Sequence, residues 1–150
     1  MDQLLIRTDS GPIARLTLNN PTKHNTLSLD MLEALIAAFD RIGQDDNIRV
    51  VILSAKGKAF SAGHDLRQMQ QAAAHSDGAD QLTHLFRRCA TLMQMLPALP
   101  QPVIAQVQGI ATAAGCQLVA SCDLAVASDA AHFGVNGVSI GCSVPPRWSP

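Results

Sequence analysis

The chain of 150 residues is long enough for one domain with a buried core, and 47% hydrophobic content with 15% charge argues against disorder. A net charge of −1 gives no electrostatic basis for binding nucleic acid or an anionic membrane. No apolar run approaches the ~20 residues of a bilayer-spanning helix. The opening MDQLLIRTDSGP carries an early acid and no long apolar stretch, so neither a signal peptide nor an Arg-rich transit peptide is expected there. Cys89, Cys116, Cys122 and Cys142 form no C-x-x-C pair. That spacing argues against a zinc or redox site, and it predicts reduced thiols in a cytoplasmic protein with no bound metal.

Alternating apolar runs at 4–8 and 13–18, joined by Asp9-Ser10-Gly11-Pro12, predict a hairpin. Asn19-Asn20-Pro21 ends the second strand, and KHNTLS at 23–28 follows as a loop. Ser28 or Asp30 can cap a helix running to about Gly43, with Met31, Leu32, Leu35, Ile36 and Phe39 on one stripe. The VVIL run within 47–54 predicts a buried strand. KGKAFSAGHDL at 56–66 reads as a loop, and 72–80 as a small, polar, mobile connector. From about Asp80 to Leu96 the apolar positions Leu82, Leu85, Phe86, Cys89, Leu92, Met93 and Leu96 step by three and one. They predict an amphipathic helix that Pro97 and Pro100 end.

The stretch from 103 to 128 organises the rest. An apolar run at 103–107 predicts a buried strand, and 109–114 is small-residue backbone. A helix is expected over 113–121 and a second apolar strand over 124–127. Strands alternating with helices predict an α/β architecture with mainly parallel strands, whose sites form at the strands' carboxyl ends. Two Ala/Gly-rich loops fall there, one after VVIL and one after 103–107. A backbone N–H from each would make a two-donor site for an oxyanion. The same small residues also serve close strand–helix packing, and both uses stay open at this point.

FSAGHDL at 60–66, QGIATAAGCQLVASCDLAVAS at 108–128 and NPTKHNTLS at 20–28 agree in order and spacing with one family. The chain resembles the enoyl-CoA hydratase/isomerase (crotonase) family over 4–141. The resemblance implies a spiral ββα crotonase-like core over 1–141, followed by a tail at 142–150 that departs from the family pattern. It implies a lyase or isomerase of acyl-CoA and fatty-acid metabolism, with no cofactor beyond the coenzyme A of the substrate. His64 and Ala114 match the family's two oxyanion N–H donors. Lys23 and Arg67 match basic positions that approach the coenzyme A phosphates in relatives. Ala62, Asp65 and Leu66 match backbone lining the adenine pocket. Apart from the resemblance, Lys23 and Arg67 read as solvated surface charge and His64 as an ordinary loop histidine.

The departures bear on chemistry. Hydratases of the family use two glutamates, which fall here at Gln117 and Gly137. Glutamine can orient a water but not take its proton, and glycine has no side chain. Crotonyl-CoA hydration near background is therefore expected. Histidine at position 64 also occurs in decarboxylating relatives, so decarboxylation or thioester hydrolysis is an alternative. Relatives continue for about a hundred residues that form helices and assemble trimers or hexamers, whereas the tail here holds Pro145, Pro146 and Pro150. A shortened, non-catalytic acyl-CoA-binding protein is a further alternative. Its apolar surface, left uncovered, would make it prone to self-association.

Overall fold

The predicted hairpin forms first in chain order. β1 (Leu5–Ser10) and β2 (Ile13–Leu18) pair antiparallel, with Leu5 opposite Leu18 and Ser10 opposite Ile13. The computed structural model describes residues 3–135. α1 (Leu29–Gly43) starts at Ser28, whose hydroxyl accepts the Met31 N–H at 3.3 Å, so Ser28 is the cap and Asp30 lies inside the first turn. Its apolar stripe buries Met31, Leu32, Leu35, Phe39 and Ile42. β3 (Val50–Ala55), β4 (Ala59–Ser61), α2 (Leu66–Ala73) and α3 (Gly78–Met95) follow. Then come β5 (Val103–Val107), β6 (Ile110–Thr112), α4 (Ala114–Ser121), β7 (Leu124–Ala127) and β8 (His132–Gly134).

The larger sheet has the order β1-β2-β3-β5-β7 and is parallel apart from β1. The smaller sheet, β4-β6-β8, is wholly parallel. Leu16, Leu18, Phe39, Leu53, Phe60 and Leu92 are fully buried where strands and helices meet. Each such side chain stabilises the fold by about 1.5–3 kcal/mol.

Three elements depart from the sequence reading. β4 lies inside the expected 56–66 loop, and β6 inside the small-residue turn. Their strand character comes from pairing Ala59 with Ile110 and Ile110 with His132, partners far apart in sequence. α2 and the start of α3 occupy most of the segment expected to be a mobile connector. Asp65 nucleates α2 by accepting the Arg67 and Gln68 N–H groups at 3.1 and 3.2 Å. Ala72 and Gly78 are buried where α2 meets α3. β7 is exposed on both faces, with Leu124 at 61% and Val126 at 63%. Among the described residues nothing pairs with its second edge.

Candidate functional site

β4 ends at Ser61, and the chain turns through Ala62 and Gly63 before α2. Gly63 sits at φ +85°, a left-handed conformation that glycine adopts without steric strain. Its C=O accepts the Leu27 N–H at 2.7 Å. In a trans peptide the C=O and the N–H of one plane point opposite ways. The His64 N–H therefore points away from Leu27, and among the described residues it meets no protein acceptor.

The second donor opens α4. The Ala113 C=O accepts the Gln117 N–H at 3.1 Å, which starts the helical ladder. The Ala114 N–H, on the same peptide, thus points back out of the helix N-terminus, where among the described residues no side chain caps it. Ala113 itself lies at φ 50°, ψ −124°, the first central position of a type II′ turn, where glycine is usual. Its N–H donates to the Gly134 C=O at 2.8 Å and ties the turn to β8.

The two loops touch backbone to backbone. A Cβ placed on Gly63 would lie 3.1 Å from the Ala114 nitrogen, and one on Gly115 would lie 2.3 Å from the Ser61 C=O oxygen. Two N–H groups that have no protein partner among the described residues thus emerge from adjoining loops. Such a pair can accept an anionic or polarised carbonyl oxygen, and a helix N-terminus adds a favourable dipole.

The His64 ring turns to the neighbouring helix. Its Nδ1 lies 3.4 Å from the Leu27 C=O, and Phe86 of α3 packs edge-on to it at 5.3 Å. Burial pushes its pKa below the ordinary histidine value, and the Leu27 contact only partly opposes that. A carbonyl partner requires the proton on Nδ1, so Nε2 of the neutral ring keeps its lone pair.

Gln117 is half-buried on α4, and its side-chain amide has no protein partner among the described residues. Gly137 lies outside the described residues, as does Cys142. Burial pushes the thiols of Cys89 and Cys122 up to about 11 and about 12, so both stay protonated and unreactive near neutral pH.

Lys23, Asp65 and Arg67 line a cleft of about 390 Å³, together with Asn20, Ser28 and Asp30. Lys23 Nζ lies 3.6 Å from Asp65 Oδ2, and its side chain is 64% exposed. Asp65, expected as pocket backbone, contributes its carboxylate to α2's cap and to Lys23. Ala62 spends its N–H on the His24 C=O and its C=O on the Thr112 hydroxyl, so both groups hold the fold together. Leu66 is exposed on the first turn of α2. A second cavity of about 400 Å³ lies between α2 and α3, with Leu29, Met69, Ala72, Leu82 and Leu85 on its walls.

Sequence reasoning gave Asn25, Leu27 and Ser61 no role at the site, and read Phe86 only as one of the apolar positions of α3. Asn25 sits buried at φ 51° and donates from Nδ2 to the C=O groups of Lys56 and Ala59 at 2.8 and 2.9 Å. The one cue in the sequence is an asparagine inside a short polar loop, a residue type that tolerates left-handed backbone.

Residues 8–149 match the enoyl-CoA hydratase/isomerase family. A zebrafish (Danio rerio) protein named enoyl-CoA hydratase domain-containing protein 3, mitochondrial, is 46% identical over 144 residues, which is 95% of this chain and 48% of that protein. A crystal structure of enoyl-CoA hydratase from Mycobacterium smegmatis superposes with a TM-score of 0.87 at 48% identity, covering 94% of this chain and 54% of that one. The human domain-containing protein 3 structure gives a TM-score of 0.86 at 41% identity, over 93% and 54% of the two chains. The chain thus spans about half the length of the relatives it matches. The expectation of a cytoplasmic protein is overturned here, because the zebrafish, frog, rat, mouse and human relatives are all mitochondrial by name. Unpaired cysteines could not separate the two, since both compartments keep thiols reduced.

Proposed function

The chain belongs to the enoyl-CoA hydratase/isomerase (crotonase) family, and from that premise we propose that it binds an acyl-CoA thioester and holds its carbonyl oxygen between the N–H groups of His64 and Ala114. The observation that carries this reading is the pair of unpartnered N–H groups on loops in backbone contact. As the α-carbon gains electrons, negative charge moves onto that oxygen. One such donor is typically worth about 10²–10³-fold in rate.

The remaining groups fit around that contact. Lys23 and Arg67 at the polar cleft supply positive charge for the coenzyme A phosphates. Lys23 is mostly exposed and only loosely paired with Asp65, so it can swing to an anion. The apolar cavity between α2 and α3 suits an acyl chain. The coenzyme A belongs to the substrate, and no separate cofactor or metal enters the reading. Self-association into a trimer or hexamer, as the family resemblance implies, is part of the same proposal.

Hydration is the weak step. Gln117 can hold a water through its amide but cannot accept the proton, and Gly137 supplies no group. A second reading follows from that chemistry. Loss of CO2 from an acyl-CoA bearing a β-carboxylate leaves the same enolate without any base. A neutral His64 ring and a neutral Gln117 are compatible with that route and not with proton abstraction by a carboxylate.

The test is calorimetric binding and turnover of crotonyl-CoA, a saturated acyl-CoA and a malonyl-type CoA. Saturable binding is expected, with crotonyl-CoA hydration at least ~10²-fold below an ordinary hydratase. A Gln117→Glu/Gly137→Glu variant should raise it. Absence of binding by all three would refute the proposal. Hydration at ordinary enzyme rates of ~1–10³ per second would show that another group serves as base.

A further inference from the structure

The loop at 24–27 is laced to the donor loop at 61–64 by four contacts. The Ala62 N–H donates to the His24 C=O at 3.0 Å, and the Leu27 N–H to the Gly63 C=O at 2.7 Å. His64 Nδ1 meets the Leu27 C=O at 3.4 Å. The fourth contact runs through a side chain: the Ser61 hydroxyl donates to the Asn25 C=O at 2.9 Å. The Ser61 hydroxyl oxygen in turn accepts the Gly63 N–H at 3.3 Å. Ser61 is fully buried, as is Asn25.

Ser61 also faces the other donor. Its C=O and Cβ lie against Gly115, where an added Cβ would come within 2.3 and 2.8 Å of them. One small residue thus sits under Gly63, which precedes the first donor, and under Gly115, which follows the second. Its hydroxyl is oriented from behind by Asn25, whose Oδ1 accepts the Asn20 N–H while its Nδ2 holds Lys56 and Ala59.

We propose that Ser61, held by Asn25, is a positioning residue that anchors the Ala62–Gly63 peptide and so, together with the Leu27 N–H, sets the angle of the Gly63–His64 peptide and its spacing from the Ala114 N–H. The inference rests on the thioester-binding reading above. A hydroxyl that both donates and accepts fixes the Ala62–Gly63 peptide, from which the Gly63–His64 peptide turns about a left-handed glycine, and a methyl group would leave that anchor free to rock. A donor that rocks is no longer preorganised for the oxygen it must meet.

The experiment is isotope-edited infrared spectroscopy of a ¹³C=O acyl-CoA bound to wild type and to Ser61→Ala. Two aligned N–H donors weaken the thioester C=O bond and lower its stretching frequency. In Ser61→Ala the lowering should shrink by about half or more, while Kd changes by less than about threefold. A merely structural Ser61 would lower Tm and leave the bound frequency where it is in wild type, and that result overturns the inference. If Ser61→Ala does not fold by circular dichroism, Ser61→Cys keeps the shape with a weaker hydrogen bond. A partial loss of the shift then supports the inference, and an unchanged shift overturns it. Absence of a shift in wild type that binds, or absence of binding, instead refutes the thioester reading itself.

Discussion

Replacing Gly115 by alanine tests whether contact between the donor loops is built into the backbone. Glycine to alanine inside a helix ordinarily stabilises by up to about 1 kcal/mol, and by less near the first turn. Here the new Cβ would lie 2.3 Å from the Ser61 carbonyl oxygen and 2.8 Å from its carbonyl carbon. To reach ordinary contact, α4 and β4 must separate by about 1.1 Å. Overpacking of this kind costs about 1–3 kcal/mol, toward the upper end because the atoms struck are backbone within a sheet. The steric cost wins, leaving a net loss of about 1–2 kcal/mol and a Tm lower by about 2–8 °C for a chain of this size. The same separation moves the Ala114 N–H from its place beside Gly63, and a misplacement near 1 Å is worth about 10²-fold in rate. The assay is thermal unfolding by circular dichroism, with the C=O stretching frequency of a bound ¹³C=O acyl-CoA as the readout of donor alignment. A Tm equal to or above wild type would refute the packing argument, whatever the C=O frequency does.

Ala113 occupies a turn position that favours glycine, so Ala113→Gly should relieve about 1–3 kcal/mol of strain against about 0.5–1 kcal/mol of added unfolded-chain entropy. A Tm raised by a few degrees is the expected outcome, and a lowered Tm would show that the turn is unstrained. His64 has a folded-state pKa below its unfolded value of 6.5. Between those two values the unfolded chain binds the extra proton, so stability is full above about pH 6.5 and falls as pH drops toward the folded pKa. Urea titrations at about pH 7.5 and about pH 5.5 should show that loss in wild type and a smaller one in His64→Gln; equal losses would count against burial of a neutral ring. Leu124 and Val126 are exposed on one face of β7, whose second edge is unpaired among the described residues, and Ile110, Phe133 and Val135 are exposed as well. Sedimentation should show concentration-dependent association that Leu124→Ser/Val126→Ser reduces, and a monomer across the range would contradict this.

Elements defined by local pattern were legible in the sequence. The stripe of α1, the three-and-one step of α3 and the apolar runs of β3 and β5 carry their own periodicity, so burial follows from spacing alone. The two donor loops were legible as Ala/Gly-rich segments after parallel strands, and the families of motifs at 20–28, 60–66 and 108–128 named the relatives. Tertiary structure decided the rest. β4 and β6 are three residues each, too short for any period, and become strands only through partners about fifty residues away. Asp65 could not be read as a helix cap until α2 existed. Nor could His64's ring be read as half-buried until Phe86 of α3 lay against it. The direction of an N–H is likewise a property of its peptide plane. That plane is set here by hydrogen bonds from Leu27 to Gly63 and from Gln117 to Ala113, the first spanning two loops that no local pattern connects.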